Sequence, residues 1–154
     1  ARAIEKFGFE YSSEFSYDYD NFPSYPASGS RLNTLQMPVH PVSIGSLRRQ
    51  AFTEAEMLEY FRNIVDRKLN EREPVILYHH PNNRHENLLK EIIEHVHQQK
   101  VSPLRMMDYA VWWKKREACL FDVDVQGTMI NVQARPASVE HIQLAHIDGH
   151  TGGK

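Results

Sequence analysis

The stretch that decides the fold is residues 53–96, TEAEMLEYFRNIVDRKLNEREPVILYHHPNNRHENLLKEIIEHV. It begins with a capping-box pattern, Thr53 followed by Glu56, which is typical of a helix start. Apolar residues then recur at helical spacing and predict one buried helix face: Met57, Leu58, Phe61, Ile64, Val65 and Leu69. After Pro74, the continuous apolar run 75–78 is typical of a strand buried on both faces. A second helix with an apolar face follows over 87–96.

Working outward, the same alternation continues on both sides. Upstream, a helix is expected to end at Gly8, and strands are expected over 9–13 and 35–39, with an irregular loop over 14–31 between them. Downstream, 101–107 is interpreted as a further short strand and 108–116 as a terminal helix. Alternating strands and helices predict an α/β fold with parallel strands.

The pattern changes after Glu117. Residues 119–125, 128–134 and 139–147 have a β-rich composition, and Gln126-Gly127 is a plausible hairpin turn. The predicted organisation is therefore an α/β part over 1–116, an all-β appendage over 117–150 and a flexible tail over 151–154. The appendage is too small to be stable as an independent domain.

Composition excludes several classes of protein. The chain has 154 residues, 41% of them hydrophobic, with 18 Lys and Arg against 20 Asp and Glu. No segment approaches the ~18 consecutive apolar residues of a membrane span. A net charge of −2 offers no electrostatic reason to expect nucleic acid or a membrane as partner. The single cysteine, Cys119, excludes an internal disulfide framework and a Cys-rich zinc site.

Nine histidines are the unusual feature of the composition. His79 and His80 directly follow the predicted buried strand, and His40 follows the strand before it. Residues at the carboxyl ends of parallel strands line the active face in α/β barrels, and histidine carries protons near neutral pH. The alternative for each is a solvated or structural histidine. The helix histidines His85, His95 and His97 are expected at the surface.

The segment after the first strand mixes aromatic and acidic residues: Glu14, Phe15, Tyr17, Asp18, Tyr19, Asp20, Phe22 and Tyr25. Aromatic rings stack on sugars and carboxylates accept hydrogen bonds from hydroxyl groups, so this composition suits carbohydrate. The alternative is a loop attached to the body of the protein by its aromatic side chains. Basic residues of the central helix region are interpreted as an ordinary solvated face: Arg48, Arg49, Arg62, Arg67, Lys68 and Arg72.

Taken in order, these pieces resemble the C-terminal half of a polysaccharide deacetylase with the NodB-homology fold. Residues 1–11 look like the helix-Gly-strand unit that follows the Arg-x-Pro-Tyr motif of that family. Leu77-Tyr78-His79-His80 fits its Leu-x-x-His motif, and 87–113 looks like its closing helix, strand and helix. The resemblance covers about residues 1–116. It implies the C-terminal part of a deformed (β/α) barrel, followed here by the β appendage.

The resemblance also implies a function. Such enzymes hydrolyse N-acetyl groups of amino sugars with one divalent metal, usually zinc, held by an Asp and two His. By motif match, His80 would be the general acid. Glu14, Asp18 or Asp20 could stand in for an acidic motif of the family, and His40 and Tyr17 are further candidate substrate contacts. The Thr-Phe-Asp-Asp-Gly and Arg-x-Pro-Tyr motifs do not occur, so the metal ligands would lie outside these residues and this chain alone would bind no metal.

Two hypotheses follow. In the first, the chain is a fragment, the C-terminal portion of a metal-dependent carbohydrate N-deacetylase, inactive alone and able to pair with itself or with the missing N-terminal half. In the second, it is a non-catalytic carbohydrate-binding or structural module that uses half of the same fold. Carbohydrate is the expected partner of the enzyme or of a binding module, with no nucleic acid and no membrane.

Overall fold

A computed structural model describes residues 2–14, 21–28, 30–80, 82 and 84–135. Contacts within the chain divide it into two compact units, Ala1–Ala110 and Val111–Lys154. The boundaries expected near residues 116 and 150 stay predictions. In the described part of the chain, every helix is too short or too polar to cross a lipid bilayer.

The first unit mixes short strands with helices, and α5 continues from it into the second unit. Its elements, in chain order, are α1 (Arg2–Lys6), β1 (Tyr11–Glu14), β2 (Ala27–Ser28), β3 (Ser30–Arg31), β4 (Leu35–Pro38), α2 (Ile44–Arg49), α3 (Glu54–Asn70), α4 (Glu86–Gln98) and α5 (Met106–Glu117). α1 ends as predicted, with Gly8 in a left-handed conformation (φ 74°) that suits glycine. The expectation of a wholly irregular loop over 14–31 is wrong, because β2 and β3 form a small antiparallel pair there.

The predicted parallel pairing is present between β1 and β4. Tyr11 pairs with Leu35 and Glu14 with Pro38, so the two strands end side by side. Leu35 and Met37 are fully buried, while Gln36 between them is only half-buried. Alternating burial of this kind arises because successive side chains of a strand point to opposite faces.

A third segment continues this arrangement without forming a regular strand. The backbone amide of His40 donates to the Ile76 carbonyl at 2.9 Å, and the Tyr78 hydroxyl donates to the Pro41 carbonyl at 3.4 Å. These two contacts place residues 76–78 beside the continuation of β4. The expected strand over 75–78 is nevertheless not formed, because no ladder of hydrogen bonds extends along this segment within the described residues. The strand expected over 101–107 is also absent: residues 101–105 are irregular and α5 begins at Met106.

The capping box predicted for α3 is confirmed. The Thr53 hydroxyl oxygen accepts from the Glu56 amide at 3.3 Å, and the Glu56 carboxylate accepts from the Thr53 amide at 2.7 Å. α2 begins with a similar box between Ser43 and Ser46. Both boxes satisfy backbone N–H groups that have no partner within a helix.

Helices α2, α3 and α4 share one apolar core. It consists of Ile44, Leu47, Met57, Phe61, Leu88 and Ile92. Leu77 packs against this core, which holds the segment before His79 and His80 on the helices. Removing a large buried side chain such as Phe61 costs about 3–5 kcal/mol. The apolar face predicted for α3 is confirmed, and that of α4 is confirmed at Leu88 and Ile92, whereas Ile93, which was expected on the same face, is 47% exposed.

Lys68, one of the basic residues expected on the solvated face, is buried. Lys68 is only 1% exposed, and its Nζ atom binds Glu73 Oε2 at 3.2 Å. The prediction is wrong for Lys68. This lysine lies on the buried side of α3, and the carboxylate of Glu73, just after the helix, pairs with its charge. Arg48, Arg49, Arg62, Arg67 and Arg72 are exposed as expected.

In the second unit, β5 (Leu120–Gln126) and β6 (Met129–Arg135) form the predicted antiparallel hairpin. Its turn is Gly127-Thr128, one residue later than expected, and Gly127 has φ 61°. One face of the hairpin carries Phe121, Val123, Val125, Ile130 and Val132, since these residues pair across the two strands. The third β segment expected over 139–147 lies outside the described residues.

The described residues thus combine helices with small sheets, and they form no closed barrel. That the first unit is part of a deformed (β/α) barrel stays a prediction.

Candidate functional site

Two parallel strands of the first unit end side by side at one edge, and a third segment contacts the residues that follow one of them. Glu14 ends β1, and its pairing with Pro38 places it two residues along the ladder from His40. The contacts of His40 and Pro41 with residues 76 and 78 bring the segment that ends at His80 to the same edge. The predicted site residues Tyr17, Asp18 and Asp20 lie outside the described residues. Glu14, His40 and His80 are the predicted site residues that lie in the described part of the chain.

His40 is a buried histidine with a defined partner. Its side chain is 4% exposed, and its Nε2 atom lies 2.9 Å from the hydroxyl oxygen of Tyr60. The ring also makes a tilted contact with the Tyr60 ring and an edge contact with Phe61. Both residues come from α3, so the helix rather than the strand fixes the orientation of the imidazole. Its expected role as a substrate contact stays a prediction.

His79 and His80 point in different directions, as expected for neighbours on an extended segment. The His80 side chain is exposed and makes an edge-to-face contact with the Tyr78 ring, with centroids 5.4 Å apart. His79 is half-buried, and its Nδ1 atom is shielded from solvent with no hydrogen-bond partner among the described residues. Of the two side chains, that of His80 is the more exposed to a molecule arriving from solvent.

No group of three or more His, Cys, Asp or Glu side chains in the described residues could hold a metal ion. The residues at this edge therefore do not fit the zinc site that the resemblance implies, and ligands for it would have to come from elsewhere. The sequence does carry two histidines at i,i+4 spacing, His146 and His150, a pattern that the sequence interpretation overlooked. Both lie outside the described residues.

A concavity of about 300 Å³ opens beside residues 74–77. It is lined by Pro74, Val75, Ile76, Leu77, Ser102, Leu104, Met106 and Tyr109. This lining is mostly apolar and Tyr109 is its one ionisable group, so the groove lacks the paired acids or bases that hydrolysis needs.

Tyr60 is the residue that the sequence interpretation missed. It lies beside the apolar stripe of α3, between Met57 and Phe61, and no motif marks it. A physical signal does exist, because a histidine at the end of a buried strand needs a hydrogen-bond partner and the aromatic hydroxyl groups are candidates. The interpretation of His85 and His95 as surface residues is also wrong. Their side chains are only 17% and 14% exposed, and each contacts a carboxylate of α3.

The chain was compared with models of protein families, with curated proteins and with solved structures, and none of the three comparisons produced a match. The likeness to polysaccharide deacetylases therefore rests on the sequence motifs alone.

Proposed function

We propose that this chain is the C-terminal portion of a metal-dependent carbohydrate N-deacetylase, to which it contributes the general acid His80. The supporting observation is the parallel pairing of β1 with β4, together with the backbone hydrogen bond between His40, just after β4, and Ile76. In such an arrangement the residues after each segment share one edge, the position at which α/β barrels carry their catalytic groups.

The role proposed for His80 follows from its exposure and its chemistry. In amide hydrolysis a water oxygen bonds to the carbonyl carbon, the C–N bond breaks, and the departing nitrogen takes up a proton. An exposed imidazole near neutral pH can donate that proton to the amine. Contact with the Tyr78 ring limits the directions in which the His80 ring can point.

The other proposed contributions concern substrate. Glu14, Asp18 and Asp20 are proposed to accept hydrogen bonds from the hydroxyl groups of an amino sugar. Tyr17 is proposed to stack on the apolar face of the sugar ring, and His40 to act at the same edge. Since the described residues lack a ligand set for zinc, no step is assigned to a metal here, and the ligands are proposed to lie in another part of the protein.

The first test is to read the coding sequence upstream of the codon for Ala1. An in-frame Asp-Asp and His-x-x-x-His within about 150 residues, enough for the missing half of a barrel, is the expected result. A start codon immediately before Ala1 would refute the proposal.

The second test uses the full protein and an N-acetylated oligosaccharide, with release of acetate as the readout. His80→Ala is expected to lower the rate by about 10²–10⁴, the usual contribution of a general acid. His97→Ala, an exposed histidine of α4, is the matched control and should leave the rate unchanged. Unchanged turnover in His80→Ala would exclude this role. Binding of the oligosaccharide without any release of acetate would instead support a non-catalytic carbohydrate-binding module.

A further inference from the structure

One face of the β5–β6 hairpin, in the second unit, is apolar. Its members pair across the two strands or alternate along them, and they include Phe121, Val123, Val125, Ile130 and Val132. The first four are 50%, 60%, 63% and 65% exposed, in that order. A contiguous apolar surface of this kind marks an interaction site, whereas single exposed apolar residues do not.

The opposite face of the hairpin is polar along most of its length. It consists of Asp122, Asp124, Gln126, Asn131, Gln133 and Arg135, with apolar residues only at its two ends, Leu120 and Met129. Asp122 and Arg135 form an ion pair across the strands. Gln126 Nε2 donates to Asp124 Oδ2 at 2.8 Å. Solvent and neighbouring polar groups satisfy this face, so the apolar face is the one that gains from a partner.

We propose that a second copy of this chain covers the apolar face, so that two hairpins pack face to face as a four-stranded β-sandwich. A two-stranded hairpin is at best marginally stable in water, and further strands or a packing partner are needed to stabilise it. A second hairpin supplies both the further strands and an apolar surface of the same size. Two sheets packed in this way lie about 10 Å apart, and the side chains of their inner faces interdigitate.

The distribution of charge on the hairpin favours a second copy as the partner. A two-fold interface brings the same surface of the two copies together, so any unbalanced charge meets itself. The apolar face carries no charged residue, whereas the polar face carries two aspartates and one arginine. Packing of two polar faces would therefore bring like charges together, and packing of two apolar faces would not.

The area of the apolar face sets the strength of this contact. A fully exposed aliphatic side chain offers about 100 Å² of apolar surface and an aromatic one about twice that, so the five partly exposed side chains offer about 300–400 Å² per copy. Homodimer interfaces are about 65% apolar, so two copies would bury about 900–1,200 Å² in total, near the lower limit for a specific interface. We therefore expect a weak dimer with a dissociation constant of about 10–100 μM. This contact is independent of the proposed function.

The test is sedimentation equilibrium of the 154-residue chain at concentrations from about 5 to about 500 μM, which bracket the expected dissociation constant. The average mass should rise from 18.0 kDa towards twice that value as the concentration increases. Val123→Thr/Val125→Thr should weaken the dimer by about ten-fold or more, since threonine keeps the β-branched shape but presents a hydroxyl group to the interface. Asn131→Thr/Gln133→Thr introduces the same residue on the polar face and should leave the dissociation constant unchanged.

A second double variant guards against a disturbance of β5 alone. Ile130→Thr/Val132→Thr changes the same face on β6 and should weaken the dimer to a similar extent. An unmodified chain that stays monomeric up to about 500 μM would overturn the proposal, because a second copy would then not cover the face. A dimer that survives both apolar-face variants, or one that is lost in Asn131→Thr/Gln133→Thr, would overturn it as well, because the contact would lie elsewhere. Masses beyond that of a dimer would point instead to pairing of strand edges and would also overturn it.

Discussion

Substituting Tyr60 by Phe tests whether α3 fixes the orientation of His40, the histidine that follows β4. The change removes one hydroxyl group and keeps the aromatic ring, which contacts His40 and Phe61 at centroid distances of 5.8 and 5.3 Å. What is lost is the 2.9 Å contact with the Nε2 atom of an imidazole that is only 4% exposed. Water cannot easily replace this partner, so the cost is the penalty for a buried polar atom left unsatisfied, about 1–3 kcal/mol.

Urea unfolding followed by far-UV circular dichroism measures this cost. With a denaturant dependence of about 2 kcal/mol per molar urea, the midpoint of Tyr60→Phe should fall by about 0.5–1.5 M. Tyr78→Phe is the matched control, since Tyr78 is also half-buried but its hydroxyl contact with Pro41 is longer, at 3.4 Å. The urea midpoint of Tyr78→Phe should therefore fall by less than that of Tyr60→Phe.

A double-mutant cycle then separates the pair from its surroundings. The double variant His40→Leu/Tyr60→Phe removes both partners and leaves no unsatisfied atom at this contact. Its loss of stability should therefore be about 1 kcal/mol smaller than the sum of the losses in the two single variants. A cost below about 0.3 kcal/mol for Tyr60→Phe, or simple additivity in the cycle, would refute the idea that this hydrogen bond orients His40.

Two further outcomes are expected. Hydrogen bonds from the Thr53 amide and then from its hydroxyl hold the pKa of the Glu56 carboxyl below its ordinary value of 4.5. The stability that this cap contributes is therefore present above pH 4.5 and is lost as the pH falls through the lowered pKa. Glu56→Gln should accordingly flatten the decline in the free energy of unfolding between about pH 6 and pH 3. Glu59→Gln is the control and should not flatten it. Glu73→Gln removes the carboxylate that faces the buried Lys68 and should cost about 1–3 kcal/mol in thermal or urea unfolding. Glu71→Gln, which disrupts only the exposed pair with Arg67, should cost at most about 0.5 kcal/mol, and equal losses would contradict the assigned burial of Lys68.

Local chemistry accounts for what the sequence predicts well. The capping box of Thr53 and Glu56, the glycine at position 8 and the hairpin turn at Gly127 each depend on a few adjacent residues, and all three are found close to their expected places. The periodic apolar residues of α3 and α4 succeed for a similar reason, because a helix face is encoded at fixed spacing.

Predictions fail where a distant partner decides the outcome. Residues 75–78 have the composition of a strand, but a strand also needs neighbours with which to exchange hydrogen bonds, and composition cannot supply them. The sequence indicates that Lys68 is solvated, because its contact with Glu73 can be identified only from the fold. The partner of His40 lies 20 residues away on another element, so Tyr60 could be identified only from the fold.

The β5–β6 hairpin has a consequence for the insertions and deletions that this chain can tolerate. Its apolar residues share one face only because side chains alternate strictly on both strands. An extra residue at Gly127-Thr128 would merely lengthen the loop, since three-residue hairpin connections are common. An extra residue beside Val123 would instead shift the rest of β5 by one position and turn Asp124 toward the apolar face, unless a bulge absorbed it. Natural variation in the length of this unit should therefore be confined to its turn.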